Sequence, residues 1–203
     1  MEDSQIIEEL REQLPRKLKE VKKVTWFLRG YQLNDQGQVS HLSISKFGLK
    51  GEWPKAIFKL RHLEFLDMQD NEIQSIPKDI SALKNLRCID MRMNQLNALP
   101  TSMTNLPVLE KLYLGDNYFK NVPEAIRHYP SLYTIDFTNN QLVGGCEHLL
   151  NAPNIQNIYL KNNQLTSFPF HLTENKLIKE LNLMENPIHQ IPKEHKHIAQ
   201  LWY

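Results

Sequence analysis

The segment HQIPKEHKH brings His189, Glu194, His195 and His197 close together, and imidazoles with a carboxylate are the groups that hold zinc. Their spacing matches no tight four-ligand pattern, so a solvated end of the chain is expected rather than a metal site. Cys88 is a candidate nucleophile only if a base stands beside its thiol, and no neighbouring sequence supplies one. Asp67 and Asp90 are a carboxylate pair of the kind that does acid–base work, but that work needs a closed pocket. A P-loop, G-x-S-x-G, H-E-x-x-H and C-x-x-C are all missing. These residues predict no catalytic, metal or cofactor site, and a chain that is not an enzyme.

What must position these side chains is a repeat. Leucine (29) and asparagine (18) are both frequent in the 203 residues, against 7 glycines. Asn71, Asn94, Asn117, Asn140, Asn163 and Asn186 recur every 23 residues. Around them apolar residues keep fixed offsets, from Leu63, Leu66, Met68 and Ile73 through to Ile178, Leu181, Leu183 and Ile188. Val39, Leu42, Ile44 and Leu49 fit the same frame, with Phe47 at the asparagine position. An apolar-Pro pair follows in most units, from Trp53-Pro54 to Ile191-Pro192; the fifth reads LVGGCEHLLNAPN instead.

In x-Leu-x-Leu-x the leucines share one face of a short strand, and such a strand cannot bury that face alone. Parallel stacking at ~4.8 Å hides all of them in one core. Each asparagine falls where the chain leaves the strand, so its amide is expected to satisfy the backbone groups of adjacent bends. Proline then ends strand pairing on the outer side, and Gly144-Gly145 permits a bulge or short helix in the fifth unit.

The motif LxxLxLxxNxL, as in LEFLDMQDNEI and LEKLYLGDNYF, resembles that of leucine-rich repeat proteins, and the 23-residue unit resembles their Ras-suppressor-like and bacterial class. The resemblance covers residues 39 to about 198. It implies an α/β solenoid: a horseshoe with a parallel concave β-sheet of about seven strands and an N-terminal helical cap. Residues 1–38 are assigned to the cap and 39–203 to the solenoid with a short C-terminal cap. The family's common activity is protein binding, with diverse partners.

Residues 3–24 read as a helix with an apolar stripe of Ile6, Leu10, Leu14, Leu18 and Val21, kinked or divided at Pro15, before Trp26, Phe27 and Leu28 lead into the first strand. Acids lie early and Arg16, Lys17, Lys19, Lys22 and Lys23 late, so the segment is expected to cap the core; a basic face docking on a membrane or a calmodulin-like groove is the alternative. At the other end Ile198, Leu201, Trp202 and Tyr203 are the apolar residues expected to close the stack. So short a cap covers the last strand imperfectly, and a monomer with weak self-association through that strand is expected.

Residues alternating with the strand leucines face the concave side. Phe65, Tyr113 and Tyr159 are large side chains the fold does not need, and aromatics and arginine are the usual binding anchors. Arg92, Lys111 and Lys161 are set to meet carboxylates, Asp67, Asp90 and Asp136 to meet basic groups, and Tyr118 to extend the patch. The expected function is a non-enzymatic adaptor or regulator gripping one protein partner; an exported effector or inhibitor would use the same surface. A net charge of +1 predicts no nucleic-acid partner. No apolar run approaches ~20 residues, the start MEDSQIIEELREQ lacks a secretory pattern, and two cysteines make no disulfide framework. A cytoplasmic protein is expected, with export by a specialised route as the alternative.

Overall fold

The computed structural model describes residues 2–25, 28–173, 178–191 and 198–203. Trp26, Phe27, Pro192, Glu194, His195 and His197, singled out above, lie outside the described residues. The strands are β1 (Gly30–Leu33), β2 (Val39–Ser43), β3 (Phe65–Asp67), β4 (Cys88–Asp90), β5 (Lys111–Tyr113), β6 (Thr134–Asp136), β7 (Asn157–Tyr159), β8 (Ile178–Asn182) and β9 (Ile198–Trp202). They form one sheet in sequence order, antiparallel between β1 and β2 and parallel from there on. The seven strands expected from the repeat are β2 to β8. The two further strands lie at the ends, where the 23-residue frame gives no signal.

Register follows the repeat. Leu42, Leu66, Ile89, Leu112, Ile135, Ile158 and Leu181 stand side by side, and all are buried. Each buried leucine or isoleucine stabilises the stack by roughly 1.5–3 kcal/mol. Because each rung hides its face only against the next, that stabilisation exists for the stack and not for the single repeat.

The asparagines do what the bends require. Asn94 Nδ2 donates to Met68 O and Met91 O, both at 3.0 Å, while its Oδ1 accepts the Ile73 N–H at 3.1 Å. The same bonds recur at Asn71, Asn117, Asn140, Asn163 and Asn186. The residue before each asparagine is left-handed: Asp70, Met93, Asp116, Asn139, Asn162 and Glu185 have φ between 54° and 59°. That backbone turns the asparagine inward, and four side-chain types accept its strain of about 1–2 kcal/mol. On the outer side, 3-10 turns follow the prolines at Lys55–Lys59, Lys78–Ala82, Thr101–Asn105, Glu124–His128 and Phe170–Thr173. The fifth unit replaces this turn by a short helix, α2 (Cys146–Leu150). It starts from Gly145 at φ 85°, where a Cβ would come within 2.8 Å of Val122 O.

The N-terminal segment departs from the expected helix over 3–24. Helix α1 spans only Asp3–Gln13, and Leu14 is already extended at ψ 138° because Pro15 excludes helical backbone before it. A second helix does not follow. Residues 19–21 instead run beside β1: Val21 N–H donates to Tyr31 O at 2.9 Å and Tyr31 N–H to Lys19 O at 3.0 Å. Gly30 permits the approach, since a Cβ there would sit 2.2 Å from Lys19 O. Arg16, Lys17, Lys19, Lys22 and Lys23 therefore form no basic helix. Helix α1 buries Ile6, Ile7 and Leu10 against the first outer turn, and Asp3 Oδ2 accepts the Val39 N–H at 2.7 Å.

Candidate protein interface

Parallel pairing sets Ser43, Asp67, Asp90, Tyr113, Asp136, Tyr159 and Asn182 in one row across the concave sheet. The acidic members serve their own bends first. Asp67 Oδ1 accepts the N–H of Gln69 at 3.0 Å, Asp90 Oδ1 that of Arg92 at 3.1 Å, and Asp136 Oδ1 that of Thr138 at 2.8 Å. Asn182 makes the same bond to Met184 N–H at 3.1 Å, so where an Asx residue stands in the row the bend uses its oxygen rather than a charge. Asp67 and Asp90 are buried, at 2% and 0% exposure, and are not the accessible anions the sequence suggested.

Arg92 also turns inward to its own chain. Its Nε and Nη2 bond Asp90 Oδ1 and Oδ2 at 3.1 and 2.7 Å, and its guanidinium carbon lies 5.3 Å from the centre of the Tyr113 ring. A Cβ at Gly115 would press on Thr138 O at 3.2 Å and meet Arg92 Cγ in ordinary contact at 3.5 Å. Lys161 pairs with Glu185 at 3.0 Å, and Phe65 stacks on His41 with ring centres 5.7 Å apart. Lys111 holds its ammonium 5.8 Å from the centre of the Tyr133 ring, and Tyr159 donates its hydroxyl to Glu180.

Four of the expected residues converge. Lys111, Tyr113, Asp136 and Tyr159, with Tyr133, Thr134, Thr138 and Asn157, line a recess of about 410 Å³ on the concave side. Tyr118 does not join it; it lines a separate recess with Leu99, Val122 and Pro123. Tyr133 was missed because it enters one residue before β6, outside the alternation that marks concave positions. A larger recess of about 780 Å³ lies among the first outer turns, around Trp53 and Phe58. Burial pushes the Cys88 thiol up to about 12, which keeps it protonated and unreactive at neutral pH.

Residues 42–150, more than half of the chain, match the family described as a leucine-rich repeat region. The chain belongs to the leucine-rich repeat family. Solved structures agree in fold. A leucine-rich repeat protein of Leptospira interrogans is 27% identical with a TM-score of 0.58, over 74% of this chain and 44% of that one. An internalin, InlF, of Listeria monocytogenes is 21% identical with a TM-score of 0.66, over 80% and 47%. An internalin C2 of the same species is 19% identical with a TM-score of 0.63, over 80% of both chains. The chain spans less than half the length of the first two. No curated protein sequence matches it significantly.

In this leucine-rich repeat chain the burial of Asp67 bears on stability. Burial, the largest influence, raises the Asp67 pKa above 3.8, offset in part by the bond from Ser43 Oγ at 2.6 Å. A carboxyl whose folded pKa lies above its unfolded one favours folding below the unfolded value and loses that contribution as pH rises through the folded value. Asp67→Asn keeps the Asx oxygen and removes the buried charge. It is expected to melt higher than wild type at pH 7.5, with the difference closing as the pH falls to 4. Calorimetry at both pH values checks this, and a variant that melts lower at pH 7.5 contradicts it.

Proposed function

We infer that the chain is a non-enzymatic protein-binding module, an adaptor or regulator that holds one protein partner on its concave face. The observation that carries this reading is the convergence of Tyr113, Tyr133 and Tyr159 on one recess in the middle of the sheet. A solenoid needs no aromatic side chain there, since the core is complete behind the strands. Tyrosines bring large contact area with few rotatable bonds, and such anchors each contribute ~2 kcal/mol or more once desolvated. The leucine-rich repeat fold is itself typical of protein–protein interaction modules.

An acid–base or nucleophilic reading has less support. The Asp67 and Asp90 carboxylates are buried and bonded within their own bends, and the Cys88 thiol is held protonated. Affinity capture beside Tyr113→Ala/Tyr159→Ala tests the proposal. The double variant is expected to melt like wild type and to retain the partner at least tenfold less, a loss of about 1.4 kcal/mol or more. Tyr118→Ala, in its separate recess, is expected to capture as wild type does. Undiminished capture by the double variant contradicts the assignment.

A further inference from the structure

We propose that the partner presents a cationic side chain, lysine or arginine, which seats between Tyr113 and Tyr159 over the Asp136 carboxylate. The proposal rests on the concave-face reading above and names the chemistry of the guest.

The placement comes from the register. Tyr113, Asp136 and Tyr159 are direct neighbours on β5, β6 and β7, so a half-buried carboxylate stands between two rings at the spacing of adjacent strands, ~4.8 Å per step. All three line the same recess. The rings are suited to cations by their negative faces, and the chain's own cations show the preference: Arg92 lies over Tyr113 and Lys111 over Tyr133.

Charge decides among guests. Arg92 is held by Asp90 through two bonds. The recess holds Asp136, with Glu180 bonded to the Tyr159 hydroxyl, together with Lys111, and the field of Arg92 reaches Asp136 as well. An acidic guest would meet the Asp136 carboxylate inside a site that has lost water. An apolar guest would strip that carboxylate's remaining hydration and return nothing. A lysine or arginine side chain pairs with the carboxylate while its methylene stem lies along the rings, as such stems do on apolar surface. Burial already raises the Asp136 pKa above 3.8, ahead of the bonds from Thr138 and the field of Arg92 that act the other way. A cation in the recess would relieve that cost.

The test uses the full chain as bait for a displayed library of random linear peptides, with Asp136→Asn and Tyr113→Ala/Tyr159→Ala beside it. Asp136→Asn keeps the bend intact, because Asn182 occupies the same row with the same backbone bond. Peptides that depend on Tyr113 and Tyr159 are expected to share a lysine or arginine. Replacing that residue by norleucine is expected to weaken binding about tenfold or more on wild type and far less on Asp136→Asn. Peptides that need the tyrosines but carry an acidic or apolar anchor, and bind Asp136→Asn equally, overturn the cationic guest and leave the concave-face reading standing. A selection yielding no peptide dependent on the tyrosines overturns that reading, and this inference with it.

Discussion

Asn117→Ala is expected to destabilise the chain by about 4–5 kcal/mol, the largest loss for any single polar side chain in the ladder. At Asn117 the side-chain Nδ2 donates to Met91 O at 3.0 Å and to Leu114 O and Gly115 O at 3.1 Å, and Oδ1 accepts the Leu96 N–H at 2.9 Å. The residue is 4% exposed, so water does not replace these bonds. Each buried backbone group left without a partner costs about 1–3 kcal/mol, and alanine strands several at once between two bends. Asn117→Asp is expected to be no better, because it keeps the acceptor but aims a carboxylate at carbonyl oxygens. The control is Asn186→Ala. That residue makes the same bonds but is half-buried, so water can satisfy the freed groups. Its loss is expected to be half as large or less. Denaturant midpoints for the variants check the ranking, and a loss under about 1 kcal/mol at Asn117 would show that the bend admits water.

The contrast between Asn117 and Asn186 explains how much of the molecule its sequence displays. Anything repeated at the 23-residue period was legible: the parallel rungs, the buried leucines, the inward asparagines and the outer turns after proline. Features set by local backbone were not. Asp70, Met93, Asp116, Asn139, Asn162 and Glu185 share left-handed φ; the four Asp and Asn residues tolerate it, but Met93 and Glu185 give no such signal. The Asp67 and Asp90 carboxylates looked like recognition groups because side-chain charge is visible in sequence, whereas the N–H two residues on is not. The pairing of Asp90 with Arg92 was within reach, since residues i and i+2 share a strand face. The recess needed coordinates. Tyr133 enters from the mouth of β6, and only its place beside Lys111 on the preceding rung makes it part of the site.

Leu10→Asp is expected to remove the N-terminal cap as a unit, at a cost of about 4–5 kcal/mol. Leu10 is fully buried, with Ile6, Ile7 and Leu14 beside it and Ala56 and Ile57 in the turn on which α1 rests. A carboxylate cannot stay ionised in that contact, so the helix must leave. It has no partial way of leaving. An 11-residue helix is marginal in water, and once its apolar face is lifted the four side chains lose their burial together. The bonds of Asp3 to Val39 N–H and of Gln13 Oε1 to Ala56 N–H, at 2.7 and 3.2 Å, go with it. Uncovered Ala56 and Ile57 then open the first rung, so the variant is expected to bind a hydrophobic dye and to aggregate at concentrations where wild type is clear. The basic residues that follow supply the opposite expectation. Lys17, Lys22 and Lys23 are exposed and outside α1, so Lys17→Glu/Lys22→Glu/Lys23→Glu is expected to shift stability by about 0.5 kcal/mol or less. If the charge reversal unfolds the chain while Leu10→Asp does not, the segment is anchored by its cations and the cap is not an apolar lid. The burial of Ile6, Ile7 and Leu10 against the first turn requires the reverse order, because the open end of a stacked core has to be covered by apolar surface wherever the stack begins.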